Sequence, residues 1–145
     1  MPKLYGQICP VAKTLEVVGE RWTMLLVRDL LRGPRRFQDF QASLTGIAPN
    51  VLSDRLKLLE EHGVVERWFY SQHPPRAEYL LTEKGRDLSI VVAALASWGS
   101  RHAESAARVV HEECGHAVEM AYHCPACQTR VDRDAVRLDR PTAAG

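Results

Sequence analysis

No stretch of the 145 residues approaches the roughly 18 uninterrupted apolar residues of a membrane-spanning helix, so a transmembrane protein is not expected. Met1 to Gln7 also lack the apolar run of a secretory signal, and together these absences predict a cytoplasmic protein. Cysteine is scarce and unevenly placed. Cys9 stands alone near the start, and Cys114, Cys124 and Cys127 cluster late, which argues for metal or redox chemistry rather than a disulfide framework. Charge is almost balanced: 19 Lys and Arg against 18 Asp and Glu leave a net +1. Bulk electrostatics therefore do not announce a nucleic-acid binder, although local fields decide such contacts. There is no glycine-rich phosphate loop, no nucleophile elbow and no recognisable pair of carboxylates, so an enzyme is not expected. Internal repeats and low-complexity runs are absent as well.

What is present is enough apolar material, 46% of residues, for one domain with an appendage. Gly46 to Gly63 is its organising stretch. Pro49 suits the first turn of a helix, where a missing N–H costs nothing, and Gly63 suits the left-handed position just past its end. At about 100° per residue, Leu52, Leu56 and Leu59 share one face, while Asn50, Ser53, Asp54, Lys57 and Glu61 share the other. Arg55 falls between Val51 and Leu59, inside the apolar arc, and is expected to be structural and paired with a carboxylate.

Upstream, Cys9-Pro10 opens a helix through Val18, with Val11, Leu15 and Val18 in helical repeat. A second helix is expected from about Glu20 to Leu31, with Trp22, Leu25, Leu26 and Leu30 on one face, stopped by Gly33-Pro34. Arg35 to Phe37 reads as extended, and a short helix follows from about Gln38 to Leu44, its inward residues Phe37, Phe40 and Leu44. A short helix, a turn with glycine and a second helix with a polar outward face form a helix-turn-helix pattern. Val64 to Tyr70 and Arg76 to Leu81 then read as a hairpin, a wing whose tip carries His73 and Arg76. Thr82 is a candidate N-cap for a long helix continuing through Val109-Val110, with Leu88, Val92 and Leu95 on one face. Its apolar surface exceeds what one small domain covers, which suggests a dimer interface. Val118 to Tyr122 is a candidate strand, and residues 132–145 are expected to fray.

Several motifs stand in a telling order. Cys9-Pro10, Gly19-Glu20-Arg21-Trp22-Thr23, Gly33-Pro34-Arg35-Arg36-Phe37 and Gly46-Ile47-Ala48 come first. Val51 to Leu56, Leu59 to Val65, Pro74 to Tyr79, Leu81-Thr82-Glu83-Lys84-Gly85 and Trp98 follow. Over roughly residues 8 to 100 the chain resembles the HxlR-type winged helix-turn-helix regulators. That resemblance implies a mainly α, MarR-like fold with a small β-hairpin wing, dimerising through N- and C-terminal helices. Residues 1–110 would form this domain, and residues 111–145 a Cys/His-containing extension, partly disordered at its end.

The implied activity is sequence-specific binding of double-stranded DNA at an inverted repeat by a homodimeric repressor, released by a small-molecule, electrophile or redox signal. A protein-interaction adaptor without DNA readout, or a small metal- or thiol-dependent enzyme, are the competing readings. The N-terminal half of a recognition helix enters the major groove, which makes Pro49, Asn50, Ser53, Asp54 and Lys57 candidate contacts. Asn50 suits adenine, Asp54 suits cytosine N4, and Lys57 suits a phosphate. Arg35 and Arg36 are candidate phosphate clamps, with Arg36 alternatively bridging to Glu61 or Glu66. His73 and Arg76 are candidates for the minor groove or backbone. From Arg32 to Arg76, seven basic residues against five acidic leave only +2, so binding must depend on how charges are placed and should weaken with salt.

Cys9, at the start of a helix whose dipole favours a thiolate, is a candidate redox sensor; the alternative is a small packing residue. No cofactor is required by this reading, but the tail offers a structural zinc site from Cys114, His116, Cys124 and Cys127, with His111 and His123 as spare ligands. The alternatives there are a metal-free hairpin or a reversible Cys124–Cys127 disulfide.

Overall fold

The computed structural model describes residues 4–139; of the stretch 132–145 where fraying was expected, residues 140–145 lie outside the described part, and residues 133–135 form a turn of 3-10 helix. The chain separates into two compact units, Met1–Val92 and Ala93–Gly145.

The first unit opens with α1 (Pro10–Val18), which starts on proline at its first position. Its buried residues are Ala12, Glu16 and Val18. The expected Val11-Leu15-Val18 stripe is therefore mostly turned outward, with Val11 and Leu15 exposed. Buried Glu16 accepts the Tyr5 backbone N–H at 3.0 Å and pairs with Lys13 at 3.3 Å. The second helix, α2 (Thr23–Leu30), begins later than its periodicity suggests. Trp22 takes a left-handed conformation, φ 80°, which ends the preceding turn and leaves Leu26, Val27 and Leu30 buried while Leu25 faces out.

Strand β1 (Arg35–Arg36) confirms the extended reading before α3 (Phe37–Ser43). Helix α4 (Pro49–Glu61) buries Leu52, Leu56 and Leu59, as its sequence requires. Strands β2 (Val65–Gln72) and β3 (Pro75–Leu81) form the hairpin, with Val65 opposite Leu81, Trp68 opposite Glu78 and Gln72 opposite Pro75. β1 pairs antiparallel with β3, Arg35 opposite Tyr79, so the sheet order is β1-β3-β2. One core joins these elements: Leu26, Val27, Leu30, Phe40, Leu52, Leu56, Leu59, Val65 and Leu81 all lie within it. Phe40 meets Tyr79 edge-on, with ring centroids 6.2 Å apart.

The long helix expected after Thr82 is broken into α5 (Glu83–Arg86) and α6 (Ser89–His102). Thr82 does cap the first piece, accepting the Gly85 N–H at 3.1 Å. Gly85, however, sits so close to the base of the wing that a Cβ there would lie 2.1 Å from the Val64 carbonyl oxygen. Lys84 also donates to the His62 carbonyl at 2.7 Å. These contacts hold α5 to the end of α4 and the start of β2, and the chain turns before helix resumes.

In the second unit α6 ends at His102, short of Val109-Val110. The Ser105 hydroxyl takes the Ala107 N–H at 3.2 Å, a local bond that competes with continued helix. Beyond it the strand expected at Val118 to Tyr122 is displaced. The extension instead forms β4 (Tyr122–Cys124) and β5 (Thr129–Val131), with Cys124 opposite Thr129, and a single-turn 3-10 helix at Arg133–Ala135. No helix among the described residues is long and apolar enough to cross a membrane.

Candidate nucleic-acid interface

The α3–turn–α4 pair is built by a short set of local bonds. Leu44 N–H closes α3 onto the Phe40 carbonyl at 2.8 Å, and Ile47 N–H returns to the Leu44 carbonyl at 3.1 Å. Leu44 and Ile47 are buried, so the turn is anchored in the core rather than loose above it. Leu52 N–H then starts α4 on the Ala48 carbonyl. With Leu52, Leu56 and Leu59 buried, helical geometry leaves the other side in solvent, and Pro49, Asn50, Ser53, Asp54 and Lys57 are all exposed. The structure thus places these five candidates on one free face.

Arg55 behaves as its place in the apolar arc predicts. Its guanidinium lies 3.6 Å from Glu20 and its Nε donates to the Arg21 carbonyl at 3.0 Å. It ties α4 to the turn before α2. Glu20 was not singled out from the sequence, since nothing local signals a partner 35 positions away.

Arg36 does not make the bridge to Glu61 or Glu66 expected as one alternative, because it is taken by a nearer carboxylate. Its backbone N–H donates to Asp39 Oδ2 at 2.8 Å and its guanidinium lies 3.3 Å from the same carboxylate. Asp39 is the third residue of α3, so the pair caps that helix. The guanidinium hydrogen bond, with the backbone N–H next, holds the Asp39 carboxyl below its ordinary value, and Asp39 in turn raises Arg36. Arg35 is half-buried in β1, with Nη1 donating to the Pro34 carbonyl at 3.1 Å. At the wing, His73 is exposed in the turn between β2 and β3, and Arg76 is exposed at the start of β3. Arg67 is committed to Glu60 at 3.0 Å. Three of the seven basic residues from Arg32 to Arg76 are therefore neutralised locally, while Lys57 and Arg76 enter no ion pair among the described residues. The wing also exposes Trp68 and Tyr70, whose strand-forming character had hidden their accessibility.

Cys9 is half-buried immediately before α1, and its carbonyl accepts the Lys13 N–H at 2.9 Å. In the extension, Cys114, His116, Cys124 and Cys127 are not brought together. Among the described residues no three His, Cys, Asp or Glu side chains are grouped to hold a metal ion. Three of these four candidates resolve into two pairs instead, with His111 as the fourth member. Cys114 Sγ lies 3.1 Å from Nδ1 of His111, not of His116. The reason is the turn: Gly115 N–H closes onto the His111 carbonyl at 2.7 Å, which sets residues 111 and 114 side by side. His116 contributes its carbonyl, accepting the His111 N–H at 2.9 Å. Cys124 forms the second pair with Cys127. The Cys127 backbone N–H, then its thiol and the Ala126 N–H, bond to the Cys124 sulfur and lower its pKa.

Comparison with known proteins agrees with this geometry. The sequence pattern of the HxlR-like helix-turn-helix matches residues 17–107. Rv3095, an uncharacterised HTH-type transcriptional regulator of Mycobacterium tuberculosis, is 39% identical over 121 residues, covering 81% of this chain and 76% of its own. The crystal structure of PA1607, a candidate transcription factor, superposes with a TM-score of 0.78 at 35% identity, covering 93% of this chain and 96% of the other. The redox regulator HypR in its oxidised form aligns with a TM-score of 0.62 at 37% identity, over 67% of this chain and 100% of HypR.

Proposed function

The chain belongs to the HxlR-like helix-turn-helix family of transcriptional regulators, MarR-like in architecture, and from that premise we propose that it acts as a homodimeric repressor on a palindromic promoter site. One observation carries the reading: α4 buries its leucines and leaves Asn50, Ser53, Asp54 and Lys57 as a continuous polar face. In the proposal this face reads base edges, with Asn50 toward adenine and Asp54 toward cytosine, and Pro49 at the groove edge. Lys57, Arg35 and the wing residues His73 and Arg76 meet phosphates or the adjacent minor groove. Arg36, already held by Asp39, adds its charge from the cap of α3.

Dimerisation is supported by apolar surface left uncovered. Val11 and Leu15 of α1 are exposed, and so are Ile90, Leu95 and Trp98 of α6. Burying such faces against a second copy stabilises by about 25 cal/mol per Å² of apolar surface removed from water. A dimer sitting on a promoter blocks polymerase by occupancy alone.

For the signal, the proposal favours thiol chemistry at Cys9, supported by its position before α1 and by similarity to a redox regulator. A peroxide would oxidise the Cys9 thiolate to a sulfenic acid and be reduced to hydroxide or alkoxide, changing packing beside α1. A small molecule shifting the spacing of the two reading helices is the other route to release. The thiols of the extension enter the proposal only as candidate ligands of a structural metal, apart from DNA reading.

Footprinting on DNA flanking its own gene tests the reading. An inverted repeat is expected, with half-sites about one or two helical turns apart. Binding of a monomer to one asymmetric site would overturn it. Within such a site, Asn50→Ala should relax base preference at one position by about 1–3 kcal/mol. Lys57→Ala should weaken all sequences alike and reduce the salt slope by about one.

A further inference from the structure

The extension is ordered into hairpins without anything buried beneath them. Between residues 103 and 139 no residue is buried, and only Val109, Cys124 and Val131 are even half-covered. A segment this small cannot hold its shape by a core, and such segments usually rely on a cross-link or a metal. Cys114, Cys124 and Cys127 form no disulfide.

Its two tight turns share one form. The first is His111-Glu112-Glu113-Cys114-Gly115, and the second is Cys124-Pro125-Ala126-Cys127-Gln128. Each sets a nitrogen or sulfur donor at its first and fourth positions: His111 beside Cys114, and Cys124 beside Cys127. Each then passes through a left-handed residue, Gly115 at φ 72° and Gln128 at φ 51°. A non-glycine residue there is uncommon, so the second turn keeps this shape against its local preference. Each turn also closes a hairpin. Val118 N–H reaches the Val109 carbonyl at 3.0 Å around the first, and Tyr122 faces Val131 around the second.

We propose that His111, Cys114, Cys124 and Cys127 are the ligands of one structural zinc ion, each turn supplying half of the site. One imidazole and three thiolates are a ligand set that selects zinc in four-coordinate, tetrahedral geometry. The described structure holds the four as two pairs, not as one cluster, so the metal does the gathering. Ten residue steps separate Cys114 from Cys124, a reach of about 33 Å if extended, so the chain between them is long enough to fold back. His116, whose carbonyl closes the first turn, is not a ligand in this assignment. Binding then links the hairpins and supplies the stability that burial does not.

The test uses the full chain, purified without added metal and analysed for zinc, then stripped with a chelator and reloaded with Zn2+ or Co2+. About one zinc per chain is expected, with Co2+ giving tetrahedral d–d bands and a thiolate charge-transfer band. H111A and C127S should each lower retained zinc about tenfold or more, while H116A and H123A should keep it. These side chains are exposed, so the variants leave the winged unit's core untouched. Less than about half an equivalent after reloading, or absence of the Co2+ bands, would overturn the site. Zinc kept by H111A and lost by H116A would overturn the ligand assignment.

Discussion

The two units of this chain are stable for different reasons. The winged unit closes around leucines, valines and Phe40, many of them wholly buried. The described part of the second unit buries nothing, and its order rests on backbone pairing around two turns that carry sulfur and imidazole. A core spreads stability over many contacts, so a surface change is tolerated and a cavity is not. An element without a core concentrates its stability in a few groups, and loss of one ligand should matter more than loss of any apolar side chain.

The largest expected effect tests the core side of this contrast. Leu56 is 1% exposed at the centre of α4, and Leu56→Ala should cost about 2–5 kcal/mol in denaturant unfolding. Zinc retention by the extension should not change, and joint loss of both would show that the two units depend on each other. Gly85→Ala comes next. A methyl group 2.1 Å from the Val64 carbonyl must push α5 off the base of the wing, at about 1–3 kcal/mol, seen as a lower denaturation midpoint. Neither effect has a counterpart in the described part of the extension, where a Cβ on Gly115 would meet no neighbour within 4 Å.

Ion pairs sharpen the comparison at smaller scale. Arg55, with a side chain 21% exposed, bonds both Glu20 and the Arg21 carbonyl, so Arg55→Ala should lower stability by about 1 kcal/mol. Unchanged thermal stability with lost DNA binding would instead put Arg55 at the DNA. Arg130 and Glu119 in the extension are 66% and 81% exposed, and Arg130→Ala should have no measurable effect on unfolding. A slight effect on pH dependence is expected at the cap of α3. The Asp39 carboxyl is held below its ordinary value by Arg36, so the cap's stabilisation is present above the ordinary carboxylate pKa and is lost as pH falls through the lowered one. Asp39→Asn should remove that slight acid dependence from the unfolding profile, while acid should still protonate the other carboxylates.

Much of the winged fold was legible because its signals are local. Pro49, the leucine spacing of α4 and the wing's β-branched and aromatic run lie within a few residues of what they specify. Arg55 was readable from helical phase alone, although its partner was not. Helix boundaries failed where a distant backbone intervened. The break after α5 depends on Gly85 meeting the Val64 carbonyl, 21 positions earlier, which no periodicity in residues 82–110 reveals. The outward turn of Val11 and Leu15 was likewise hidden, because an apolar stripe looks the same whether it meets its own core or open surface.

In the extension the difference lies between composition and pairing. Sequence alone determined that sulfur and imidazole would cluster there, through the fixed spacing of Cys114, Cys124 and Cys127 and the nearby histidines. Only the tertiary structure decided that His111, rather than His116, stands beside Cys114. A four-residue turn brings its first and last side chains together, while the residue just past it lends its backbone to the hairpin. The same division holds for the winged unit. Residue order determined which helix would show a polar face, because a 3.6-residue period sorts side chains without any partner. Which charges on and around that face remain free was decided by folding, since Glu20, Asp39 and Glu60 reach Arg55, Arg36 and Arg67 only once the elements that carry them are packed or capped.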